Sequence, residues 1–210
     1  MILLPAERKL IEKLYERLLP DPEKPMWCPR EEKIILRAFE RYKRGEVSFA
    51  AILLKRWIQF LAAGGYMDGL WDTLTKRQWK RYGVIYKDRR AVKSGKWVVY
   101  DSHVNALDNS FVAAFGKSWV SCADTATIVL YNKANGIVKD GSALCFQDSQ
   151  ISVTGEGHVQ MFDRSAMIYS TRLTYVTYYD EAQLPPNFAG QACSGTTLKR
   201  SQQSSAQGIS

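Results

Sequence analysis

Apolar residues recur at spacings of three and four through the first part of the chain, then at spacings of two regrouped about every eight positions from residue 97. The first pattern predicts helices. Over residues 7–19, Leu10, Ile11, Leu14, Tyr15, Leu18 and Leu19 share one helical face, and Pro20 and Pro22 end the run. A second helix is expected from Pro29, where proline suits the first turn and Glu31 and Glu32 favour the positive end of the helix dipole. Its buried stripe is Ile34, Ile35, Ala38, Phe39 and Tyr42. Ser48 is placed to cap a third, nearly all-apolar helix carrying Leu53, Leu54, Trp57, Ile58 and Leu61, which stops at Gly64 and Gly65. Asp68 or Asp72 opens a fourth helix running to about Tyr82, and residues 85–96 read as a basic connector.

Near Trp97 the period changes. Aligned from Val104, the chain reads VNALDNSF, VAAFGKSW, VSCADTAT, IVLYNKANG, IVKDGSAL, CFQDSQ, ISVTGEGH and VQMFDRSA. The first column is Val104, Val112, Val120, Ile128, Ile137, Cys145, Ile151, Val159 and Met167, and the third holds Ala106, Ala114, Cys122, Leu130, Val153 and Met161. Two residues apart in a strand face the same way, so both columns point inward. The fifth and sixth positions are turn pairs such as Asp108-Asn109, Gly116-Lys117 and Asn132-Lys133, which tolerate left-handed backbone. Ser110, Ser118, Ala126, Ala134, Ala143 and Ser165 take the corner that follows.

A unit of eight residues cannot bury its apolar face alone, and stacking coils solves this. The expected fold is therefore α+β: a helical basic domain (1–84), the connector (85–96), a β-solenoid (97–184) and a disordered Ser- and Gln-rich tail (185–210). Three units per coil would give coils of roughly 24 residues and three to four of them, with two strands per coil left open. An antiparallel sandwich gives no reason for a column of small corner residues. The repeat, Val-x-Ala-x-(Asp/Gly/Asn)-x-(Ser/Ala)-x, resembles the degenerate β-helical repeats of bacterial and phage proteins; the resemblance covers residues 97–184 and implies a fold without a function.

Composition adds a polarity to this plan. Residues 1–96 carry 22 Lys and Arg against 12 Asp and Glu, so all of the formal charge of +8 originates there. Lys55 and Arg56 interrupt the most apolar stretch, which excludes a helical membrane span. The opening Met1 to Pro5 is short and runs straight into Glu7, Arg8 and Lys9, the reverse of secretory order, so a soluble cytoplasmic protein is expected, with export by a dedicated machine left open. Cys28, Cys122, Cys145 and Cys193 form no C-x-x-C pair and read as reduced thiols, Cys122 and Cys145 packed inside and Cys193 exposed.

Two features call for a function. From residue 76 to 96, Lys76, Arg77, Lys80, Arg81, Lys87, Arg89, Arg90, Lys93 and Lys96 face a single acid, Asp88, with Trp79, Tyr82 and Tyr86 interleaved, a composition suited to neutralising phosphates and stacking bases. On the solenoid, Phe111, Phe115, Trp119, Tyr131 and Phe162 fall at outward positions, where they either meet a partner or lie beneath the N-terminal helices. Catalysis has little support. His103 and His158 fall at corners, and Asp108, Asp124, Asp140 and Asp163 occupy turn positions that the turn itself explains. No metal or cofactor motif is present in the sequence. The leading expectation is a non-enzymatic binding protein, compatible with a phage or mobile-element accessory role. In it Lys76, Arg77, Lys80, Arg81, Lys87, Arg89 and Arg90 contact nucleic acid or a nucleoprotein complex. The alternative is a self-assembling fibre or scaffold component joined through the solenoid ends or its aromatic face.

Overall fold

The computed structural model describes residues 3–18, 29–46, 54, 57–58, 61–62, 66–188 and 190–194. Helix α1 is Pro5–Leu18 and α2 is Pro29–Lys43. Leu54, Trp57, Ile58, Leu61 and Ala62 are helical and packed in the core; the rest of the expected third helix lies outside the described residues. The expected fourth helix is two short pieces, a 3-10 turn at Trp71–Thr73 and α3 at Lys76–Lys80. Thr75 causes the division. Its extended backbone ends the first piece, and its hydroxyl accepts from Gln78 N to cap the second.

Ten parallel strands follow: β1 Val84–Tyr86, β2 Arg89–Tyr100, β3 His103–Phe115, β4 Trp119–Cys122, β5 Thr127–Leu130, β6 Asn135–Cys145, β7 Gln150–Met161, β8 Ala166–Tyr169, β9 Thr174–Tyr178 and β10 Gln191–Ser194. They build a β-solenoid of about seven turns from residue 84 onward, preceded by helices. Register partners lie between 14 residues apart, as for Val84 and Val98, and 17 apart, as for Met161 and Tyr178. Each coil therefore holds two of the eight-residue units, not three, and the coils are correspondingly more numerous. Two strands suffice because the inward side chains are small to medium aliphatics that close a flat, two-faced interior.

One ladder joins β1, residues 97–100, residues 111–115, β5, residues 142–145, residues 157–161, β9 and β10; the other joins residues 89–92, residues 103–106, β4, residues 135–138, residues 150–153 and β8. Strands β2, β3, β6 and β7 belong to both because they turn the corner without breaking pairing. The residues expected to form a connector are thus the first coil, and the expected tail contributes β10, which pairs with β9. Both misreadings have one origin: the terminal coils carry charge and small polar residues in place of the aliphatic columns.

The interior between the ladders is Val104, Ala106, Val112, Ala114, Val120, Cys122, Ile128, Leu130 and their successors, nearly all inaccessible. Two positions shift from the sequence alignment. Gly136, not Ile137, pairs with Val120 and Ile151, and Ala143, not Cys145, continues the column of Ile128 and Val159. The coil turns over after eight residues at Gly136, a one-residue slip that puts Ile137 on the other face, while Cys145 falls in the third column between Leu130 and Met161. The site at Gly136 is close-packed, since a Cβ there would stand 2.7 Å from Leu130 Cδ1 and 3.1 Å from Ile128 Cδ1, methyls that would have to shift.

One corner of every coil carries a left-handed residue, namely Lys87, Asp101, Gly116, Asn132, Gln147, Asp163 and Asp180. Each is preceded by an aromatic, giving the column Tyr86, Tyr100, Phe115, Tyr131, Phe146, Phe162 and Tyr179. From Phe115 onward these rings stack at centroid separations of 4.7, 5.2, 4.7 and 4.7 Å with interplanar angles of 10° or less. The helices lie across the early part of this outer face, where Val84, Tyr86, Val98, Ala113 and Phe115 join the helical core and Trp71 stacks on Tyr100 at 4.4 Å. The outward column Val84, Val98, Ala113, Val129, Leu144, Gln160, Thr177 is apolar first and polar last, matching where the helices sit.

The opposite corner is tight at Gly141, whose φ is +108° and whose added Cβ would meet Ala126 O at 2.5 Å. Gly141→Ala should lower the unfolding free energy by about 1–3 kcal/mol, measured as a shift in urea midpoint. Exposed Gln160→Ala should change it by less than about 0.5 kcal/mol.

Candidate anion-binding surface at the first coil

Helix α3 is pinned from beneath. Trp79 is fully buried, and its indole Nε1 donates to Trp71 O at 2.7 Å. With that side fixed to the core, Lys76, Arg77 and Lys80 are left exposed beside β1. They line a cleft of about 210 Å³ together with Val84, Ile85, Tyr86, Asp88 and Arg90. Asp88 is the one acid in this lining, set against four cations, and its Oδ1 accepts the backbone N–H of Arg89 at 2.9 Å. Arg90 stands in register with Val104, in a column that points inward in later coils. Among the described residues no strand of this ladder precedes it, so the guanidinium reaches the end of the solenoid and lines a second cleft. That cleft, about 490 Å³, is bounded by Arg89, Arg90, Ala91, His103, Asn105 and Trp119.

The seven cations expected from sequence divide into two groups. Arg81 Nη1 lies 3.1 Å from Glu7 Oε1, and Glu7 is fully buried, its Oε2 accepting Leu4 N at 2.8 Å. Burial, with the Glu7 carboxylate alongside, pushes the Tyr82 hydroxyl well above its ordinary value. Lys87 Nζ lies 3.2 Å from Asp72 Oδ1. The Tyr86 hydroxyl, then Asp72, push Lys87 up to about 12. The Tyr86 hydroxyl bond, then Lys87, hold Asp72 below the usual carboxylate range. Arg81 thus ties α1 to the end of α3, and Lys87 ties the first coil to the 3-10 turn. Lys76, Arg77, Lys80, Arg89 and Arg90 have no ion-pair partner among the described residues.

The outward aromatics do not form one surface. Phe115 is buried, and Phe111 and Tyr131 pack against the helical core. Phe162 stands half-buried in the stacked column, and Trp119 is 44% exposed on the opposite face. Phe146 and Tyr179 were hidden from the eight-residue alignment, because the short unit CFQDSQ breaks it and the aromatic column repeats once per coil. Three of the four turn aspartates are occupied with neighbouring coils: Asp124 Oδ2 accepts Asp108 N at 3.4 Å, Asp140 Oδ1 accepts Glu156 N at 3.3 Å and Asp163 Oδ2 accepts Gln147 N at 3.0 Å. His103 is exposed, and His158 stacks on Tyr175 at 5.1 Å. Burial pushes the Cys122 thiol up to about 11 and Cys145 up to about 12, so neither is a thiolate at neutral pH, while Cys193 is exposed on β10. Among the described residues no group of three His, Cys, Asp or Glu could hold a metal ion, and no helix is long and apolar enough to cross a membrane.

Arg81→Ala should lower stability by about 3 kcal/mol, since it strands a buried carboxylate. Lys76→Ala should leave the thermal midpoint unchanged within about 1 °C, surface changes being nearly neutral. Calorimetry on the two variants checks the division between structural and free cations. No family model, curated protein or solved structure matches the chain.

Proposed function

We propose that this is a non-enzymatic binding protein that uses the end of its solenoid nearest the helices to hold the phosphates of a nucleic acid. The carrying observation is that Lys76, Arg77, Lys80 and Arg90 converge on one cleft, unpaired, while Arg81 and Lys87 beside them are consumed internally. Cations left in water without partners while neighbouring ones are paired suit a polyanion that releases counterions on binding. Contacts of this kind position a backbone without reading sequence. Edge protection accounts for part of the charge, because β2 exposes a strand edge and cations there deter unwanted pairing. It does not account for α3, which is no strand.

Binding to mixed-sequence nucleic acid should weaken steeply as salt rises. The variant with Lys76, Arg77, Lys80 and Arg90 all changed to Ala should reduce the slope of log affinity against log salt by on the order of 3. A salt-independent affinity, or a variant that binds like the parent, overturns the reading. Arg81 is left intact in this variant because its loss would be felt as instability.

A second reading, a self-assembling structural protein, draws on the last coils, where Ile168, Tyr169, Leu173 and Tyr175 are 42–57% exposed and β10 ends the sheet. Sedimentation at rising concentration tests it: growth beyond monomer that Ile168→Ser with Leu173→Ser abolishes supports it, and a strict monomer removes it.

A further inference from the structure

We infer that the nucleic acid is single-stranded, with a base laid on Trp119 and its phosphates running over Arg89 and Arg90 toward α3; this rests on the phosphate-binding reading above. Arg89, His103 and Trp119 are successive register partners, so they form one row across three coils on the outer face opposite the helices. Adjacent members of such a row stand about 4.8 Å apart. A single exposed aromatic on a protein surface is ordinary. Trp119 differs because it walls a cleft with two arginines, and its indole makes no hydrogen bond or ring contact among the described residues.

The remaining lining is polar in a way that suits a base edge. Asn105 Oδ1 accepts from Ser121 Oγ at 2.9 Å, which leaves the Asn105 amide NH2 free to donate, and the exposed His103 ring offers a second stacking or bonding group. A cleft of about 490 Å³ admits a nucleotide and lies within the roughly 300–1,000 Å³ usual for ligand clefts. Because Arg90 borders both this cleft and the one beneath α3, the two are parts of one cationic path that turns the first corner. A duplex keeps its base faces stacked inside and cannot present one to Trp119. An unpaired strand can, and stacking of this kind tolerates any base.

The test compares a fluorescein-labelled single-stranded oligothymidylate with a labelled duplex of equal length, by anisotropy, for parent, Trp119→Ala and Trp119→Phe. Trp119→Ala should weaken single-strand binding on the order of tenfold with the salt slope unchanged, Trp119→Phe should restore most of it, and duplex binding should not respond to either. Single-stranded RNA run in parallel decides which sugar is preferred. Circular dichroism of Trp119→Ala confirms folding, which an exposed side chain leaves intact; ultraviolet crosslinking of the parent to the oligonucleotide, mapped to residues 103–119, gives an independent readout. Equal affinity for duplex and single strand with no effect of Trp119→Ala overturns this inference and leaves phosphate binding standing. Absence of salt-dependent binding to either form overturns both.

Discussion

A single coil of this solenoid points about four small apolar side chains inward, as with Val104, Ala106, Val112 and Ala114, and none can be buried without a coil on each side. Every other feature follows from that mutual dependence. Stacking forces the strands to be parallel and in register, so equivalent residues of successive coils lie beside each other and like packs on like. The interior becomes aliphatic columns, the corner a column of left-handed residues, and the outer margin a column of rings. Asp124, Asp140 and Asp163 belong to the same logic, since each accepts a backbone N–H of a neighbouring coil and so serves stacking before any chemistry.

Column formation also decides where function has room. Within the stack, a polar or reactive side chain is answered by the coil above or below, which is how Cys122, Cys145 and the turn carboxylates are absorbed. At the first coil one neighbour is missing. Arg90 occupies a position that is valine in each of the next two coils, and it can be charged there because among the described residues no preceding strand of its ladder covers it. The helices supply a second asymmetry by covering the outer face of one ladder while the Trp119 face stays open.

The solenoid was legible in the sequence because its inward columns are nearly uninterrupted from Val104 to Met167, and the turn pairs carry their own conformational signal. The coil size was not, because an eight-residue period is common to one-, two- and three-unit coils; the aromatic column, repeating at 14–17 residues, would have decided it. Lys87 and Gln147 concealed two left-handed corners, being residue types that seldom take that backbone. The cation cluster was visible as composition. Which of its members are free was not, because that depends on Glu7 meeting Arg81 across 74 positions of chain, a pairing made by helix docking and unmarked by any local pattern.

Stacking also makes length a quantised property. From β1 to β10 one ladder advances seven steps, about 34 Å at ~4.8 Å each. Deleting or duplicating a coil of about 16 residues within the middle would change that distance by one step while leaving both ends and every corner chemically as they were. The protein is in this sense a ruler whose graduations are coils, its first and last strands set a fixed number of strand spacings apart.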